Sequence, residues 1–140
     1  MQLVIGGAYS GKRKFLRSTG EEFNLVSAYM GHSMEDALNH PGCQGSLAVE
    51  GFEVWIKDRL LGNEGDIRQE FVQYYQSLLE LERDTGITVF LLMVEMGRGI
   101  VPVDSMDRKW RDYAGWVQQD AAKASEGVYY VWHGLAQRIK

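Results

Sequence analysis

Leu3-Val4-Ile5-Gly6-Gly7-Ala8-Tyr9-Ser10-Gly11-Lys12 is an apolar run that breaks on paired glycines and ends on a lysine, and Lys12 to Arg17 is compatible with a helix. The pattern reads as strand, tight loop, helix. Glycines at 6, 7 and 11 let backbone N–H groups converge on an anion with no bulky side chain between, and the helix that follows turns its positive end to the same place. The spacing from Gly6 to Gly11-Lys12 is that of a phosphate-binding loop, in which Lys12 reaches the β and γ phosphates of a nucleoside triphosphate. A glycine-rich turn that binds nothing has a similar composition. The position of this one, at the first strand–helix junction where the motif requires it, favours the phosphate reading.

Gly6, Gly7, Ala8, Tyr9, Ser10, Gly11, Lys12 and Arg13 are therefore the candidate nucleotide-binding residues. The motif ordinarily continues with a Ser or Thr whose hydroxyl ligates Mg²⁺, and Arg13 stands there instead. Three alternatives follow: Ser10 or a water fills the metal position, Arg13 changes the metal dependence, or the site binds without turnover.

Outward from the loop, strands and helices alternate. Phe23 to Met30 reads as a second strand, and Gly31 to Gly45 holds a short helix capped by Ser33 and ended by Pro41-Gly42. Ser46 to Glu50 is a third strand, and Val54 to Leu61 is helical. Asn63 can cap a long helix whose Ile67, Phe71, Tyr74, Leu78 and Leu81 fall on one face, with Gly86 as the stop. Ile87 to Val94 is continuously apolar but for Thr88, as a central strand of a parallel sheet should be. Asp104 caps a helix with the stripe Met106, Trp110, Tyr113, Ala114, Val117 and Ala121. Val128 to Trp132 is the last major strand, and Ala136 to Ile139 returns at the edge. The expectation is one α/β domain over 1–140 with a three-layer P-loop (RecA-like) fold: a mostly parallel sheet covered by helices, and a C-terminal β-hairpin.

Strand ends line the ligand crevice in such a sheet, so Glu50 and Glu95, each closing a strand, are candidate catalytic carboxylates beside Lys12, and Glu50 is the candidate metal ligand. A solvated strand-end Glu is the competing reading.

Bulk composition sets limits. The 140 residues suffice for one core, and 15 basic against 19 acidic residues give −4, which argues against a dedicated nucleic-acid binder. The lone Cys43 forms no intrachain disulfide, and the N-terminus lacks the pattern of a secretory signal. Ile87 to Val94 is far short of the roughly 20 residues a spanning helix needs. A cytoplasmic protein with no membrane partner is expected.

The run Glu95-Met96-Gly97-Arg98-Gly99-Ile100-Val101-Pro102 resembles the bifunctional adenosylcobinamide kinase and adenosylcobinamide-phosphate guanylyltransferase family of cobalamin biosynthesis. Arg108, Trp110-Arg111-Asp112-Tyr113-Ala114-Gly115, Gln118 and Val128 to Leu135 extend the likeness. The phosphate loop is also similar, apart from Tyr9 and Arg13, and so is Ser46 to Ile56 with its carboxylate Glu50. The resemblance implies ATP or GTP with Mg²⁺, phosphorylation of the aminopropanol hydroxyl of adenosylcobinamide, GMP transfer from GTP through a guanylylated histidine, and a homotrimer. His40 lies six residues after Met34, the family spacing from a helix methionine to that histidine; an exposed loop histidine is the other reading. The family's long stretch between the second and third strands is reduced here to Gly31–Gly45. A shortened kinase is therefore one expectation, and a non-catalytic relative that binds nucleotide or a protein partner is the alternative. Trp55, Trp110, Trp116 and Trp132 are expected to serve core packing or a subunit interface. Arg108 and Arg111, one turn apart, either face phosphates or are merely solvated.

Overall fold

A computed structural model describes residues 1–39, 45–62, 65–97, 99 and 101–140. Six strands form a single sheet: β1 (Gln2–Gly6), β2 (Phe23–Ser27), β3 (Ser46–Glu50), β4 (Val89–Val94), β5 (Gly127–Trp132) and β6 (Leu135–Arg138), in the order β2-β3-β4-β1-β5-β6. All neighbours run parallel except β5 and β6, which make the expected C-terminal hairpin. The first strand lies inside the sheet, with Leu3 opposite Leu91 on one side and Val128 on the other. The helices are α1 (Lys12–Ser18), α2 (Met34–Leu38), α3 (Phe52–Gly62), α4 (Ile67–Thr85) and α5 (Ser105–Ala124).

Alternation along the strands makes two unequal cores. Leu3, Ile5, Leu47, Val49, Leu91 and Met93 face one way and bury against apolar stripes of α2 to α5, including Phe52, Phe71, Leu78, Val117 and Ala121. Val4, Ala48, Phe90, Leu92 and Val131 face the other way, where, among the described residues, the only helical one buried with them is Leu16 of α1. The sheet is thus flanked by helices on both faces, four against one.

Several boundaries differ from expectation, each for a local reason. The second strand stops at Ser27 rather than Met30, because its partner β3 ends at Glu50 directly opposite; Ala28–Met30 instead winds into a 3₁₀ turn closed by Gly31 at φ 82°. Helix α3 begins at Phe52, two residues early, since Gly51 at φ 86° reverses the chain immediately after β3. A β-carbon at Gly51 would lie 2.6 Å from that of Ala28, so glycine serves both the turn and the close approach. The cap of α4 is Asp66, which accepts from the Gln69 amide at 3.1 Å; Asn63, the expected cap, lies outside the described residues. Ser33 and Asp36 form a reciprocal capping box on α2, which lets so short a helix persist. The edge strand starts at Leu135, one residue before its expected position.

Candidate functional site

The loop after β1 is shaped by steric necessity. Gly6 admits no side chain: a β-carbon there would meet Ser10 Oγ and the Val131 carbonyl, each at 2.4 Å. Gly11 sits at φ 99° and Tyr9 at φ 57°, so the chain makes two left-handed steps before entering α1, with the Tyr9 ring in solvent. The Glu95 amide donates to the Gly6 carbonyl at 3.0 Å, and the Gly134 amide to the Ser10 carbonyl at 2.9 Å. The start and the middle of the loop are therefore held by backbone from the C-terminal half of the chain.

Lys12 folds across the loop and donates to the Gly6 and Gly7 carbonyls at 3.1 and 2.7 Å. Its pKa is lowered, chiefly by burial, while Glu53 and Glu50 act to raise it. Ser10 Oγ is buried with no hydrogen-bond partner among the described residues. A buried hydroxyl without a partner is costly unless a ligand satisfies it. The loop opens on a cleft of about 630 Å³ lined by Ala8 to Lys14, Tyr29, Glu50, Glu53, Leu92 and Val94.

Glu50 is buried and both of its oxygens accept hydrogen bonds. Arg13 Nε donates to its Oε2 at 2.9 Å, Arg13 Nη2 donates to its Oε1, and Ser27 Oγ donates to the same Oε1 at 2.7 Å. The hydrogen bond to Glu50 raises the Arg13 pKa above its ordinary value. Ser27 is itself fixed, its amide donating to His32 Nδ1 at 3.0 Å, while the His32 carbonyl accepts from Trp55 Nε1 at 3.0 Å.

A magnesium ion on a triphosphate is ordinarily held by the hydroxyl after the loop lysine together with a strand-end carboxylate. Here the first position is a guanidinium and the second has both oxygens engaged. Among the described residues, no three His, Cys, Asp or Glu side chains are arranged to hold a metal. The residues present do not fit that metal arrangement.

The structure brings the loop, Arg13 and Glu50 together around one cleft. Glu95 is not among the residues lining it: its carboxylate accepts from Tyr130 Oη at 2.7 Å, and its amide holds the Gly6 carbonyl. His40 lies outside the described residues. Glu53 and Tyr29 line the cleft but did not stand out in the sequence. Tyr29 Oη donates to Glu53 Oε1, and burial followed by that bond pushes the phenol pKa upward. The readable signal for Glu53 was the spacing Glu50-Gly51-x-Glu53, a strand-end carboxylate followed by one in the first turn of the next helix. Arg108 and Arg111 are neither simply solvated nor in the cleft: Arg108 Nη1 donates to the Pro102 and Val103 carbonyls at 3.1 and 2.5 Å, and Arg111 Nη2 donates to that of Gly97. Trp55 is in the core and Trp110 half-buried, donating to the Glu53 carbonyl at 2.8 Å, whereas Trp116 and Trp132 are exposed. No helix of the described residues is long and apolar enough to cross a membrane.

Comparison with known proteins agrees with this architecture. The chain is 24% identical over 169 aligned positions to the bifunctional adenosylcobalamin biosynthesis protein CobP of Pseudomonas aeruginosa, covering 99% of this chain and 96% of that protein. That alignment is longer than the 140 residues of this chain, so the relative carries residues with no counterpart here. Bifunctional adenosylcobalamin biosynthesis proteins CobU match in part: that of Escherichia coli K12 at 38% identity over 46% of this chain and 36% of its own length, and that of Salmonella typhimurium LT2 at 42% over 37% and 29%. The family described as cobinamide kinase / cobinamide phosphate guanyltransferase matches residues 17–139, nearly everything after the phosphate loop, and the chain belongs to that family.

Proposed function

We propose that this chain binds ATP or GTP in the loop and cleft and acts in cobalamin biosynthesis as an adenosylcobinamide kinase. The observation that carries this reading is the joining of a phosphate-loop geometry at Gly6–Lys12 to a cleft large enough for a nucleotide and lined by Lys12, Arg13, Glu50 and Glu53. Phosphoryl transfer asks chiefly for positioning and for positive charge on the equatorial oxygens, and needs no covalent residue. Lys12 leaves the loop carbonyls for the β and γ phosphates, the loop amides hold the same oxygens, and Arg13 adds a second cation steadied by Glu50. The names of the relatives, bifunctional adenosylcobalamin biosynthesis proteins, support the acceptor. Guanylyl transfer through His40 is not part of the proposal.

A second reading, nucleotide binding without turnover, is favoured by one observation, the engagement of both Glu50 oxygens by Arg13. Incubation of the chain with adenosylcobinamide and γ-labelled ATP or GTP separates the two. Labelled cobinamide phosphate that disappears in Lys12→Ala supports the kinase. Nucleotide binding with no labelled product at high protein concentration supports the second reading, and absence of both overturns the site.

A further inference from the structure

We propose that the Arg13 guanidinium takes the place of a divalent cation, so that this chain binds nucleoside triphosphates without Mg²⁺. The inference rests on the nucleotide reading above and goes beyond it, to what neutralises the phosphates.

Position is the first argument. Arg13 follows the loop lysine and Glu50 ends β3, the two places whose oxygens ordinarily share a metal. They hold each other instead, through Arg13 Nε at 2.9 Å from Oε2 and Nη2 on Oε1, a two-pronged contact that matches the planar guanidinium to the carboxylate. Ser27 Oγ completes the shell of Oε1 at 2.7 Å. For a cation to coordinate Glu50, the guanidinium must first be displaced from a carboxylate that is only 5% exposed. Such an exchange gives up a two-pronged, charge-assisted contact on a buried carboxylate, which opposes it.

Charge is the second argument. The cleft is lined by the cations Lys12, Arg13 and Lys14 and the carboxylates Glu50 and Glu53. Without Arg13 the side-chain charges balance, and the loop amides and helix end alone draw a triphosphate. With Arg13 the lining carries a positive surplus of its own. Two of the three guanidinium nitrogens are committed to Glu50, but the side chain remains 46% exposed, which leaves donor capacity for phosphate oxygens. Unlike a metal, this cation cannot be chelated away.

Calorimetric titration of ATP and of GTP into the full chain, in EDTA and in millimolar Mg²⁺, tests the inference. The dissociation constants of the wild type are expected to agree within about threefold between the two conditions, and those of Arg13→Ser to tighten at least about tenfold when Mg²⁺ is added. Arg13→Lys, which keeps a positive charge without the two-pronged geometry, is expected to bind in EDTA more tightly than Arg13→Ser, and guards against misfolding of the serine variant. In a parallel titration, the Mn²⁺ resonance of Mn²⁺–ATP is expected to gain no protein ligand with the wild type. Loss of wild-type binding in EDTA overturns the inference while leaving the nucleotide site standing. Absence of binding in both conditions, with Lys12→Ala behaving as the wild type, overturns the site and this inference together.

Discussion

The Gly134 amide donates to the Ser10 carbonyl at 2.9 Å, joining the turn of the C-terminal hairpin to the middle of the phosphate loop. A β-carbon on Gly11 would come within 3.1 Å of Gly134 Cα, and His133, Gly134 and Gly11 all have positive φ. Two left-handed turns are therefore packed face to face, and the last residues of the chain set the shape of the first loop.

Gly134→Pro removes that N–H and demands a negative φ where the backbone holds +76°. Triphosphate affinity is expected to fall about tenfold, the equivalent of one well-formed hydrogen bond. The check is calorimetric titration beside a thermal melt. Unchanged affinity in a folded variant would show that the hairpin does not shape the loop.

Two neighbouring glycines of the motif should respond differently to the same change. Gly6→Ala drives a methyl group into Ser10 Oγ and the Val131 carbonyl, an overpacking expected to cost about 1–3 kcal/mol. Gly7→Ala meets nothing within 4 Å and is expected to stay within about 0.5 kcal/mol of the wild type. Urea denaturation curves measure both, and equal midpoints for the two variants would refute the packing argument.

Acid should weaken the clasp between α4 and α5. Arg68 Nε and Nη2 donate to Asp120 Oδ2 and Oδ1 at 2.6 and 2.9 Å, and the side-chain hydrogen bond from Arg68 holds the Asp120 carboxyl below its ordinary 3.8. A carboxyl depressed in the folded state contributes stability fully above its unfolded pKa and loses it as pH falls through the folded one. Asp120→Asn is therefore expected to be less stable than the wild type near neutral pH, with the gap closing below 3.8. Urea midpoints at about pH 7 and about pH 3 give the comparison, and a gap that widens in acid contradicts it.

Most of the fold was readable because each signal is local. The apolar run before Gly6, the stripe from Ile67 to Leu78 and the cap at Asp104 each report a period or a hydrogen bond spanning a few residues. The end of β2 was not readable, because it depends on where β3 stops, a partner more than twenty residues away. Uneven cover on the two sheet faces is likewise a property of crossovers, which periodicity does not report. In the site, Lys12 and its glycines follow from spacing alone. The engagement of Glu50 by Arg13 required the register that sets the start of α1 beside the end of β3. Glu53 enters the cleft only because Gly51 turns the chain at once into α3.

The inward position of β1 bears on the order in which the molecule can assemble. Its two hydrogen-bonded neighbours are residues 89–94 and 127–132, so a ribosome must deliver more than a hundred residues after β1 before that strand has both flanks. Such distant pairing is slow to close, and a strand waiting for its partners is open to misassociation. A nascent chain halted before Trp132 thus carries the complete binding motif in its sequence without the scaffold that gives it form.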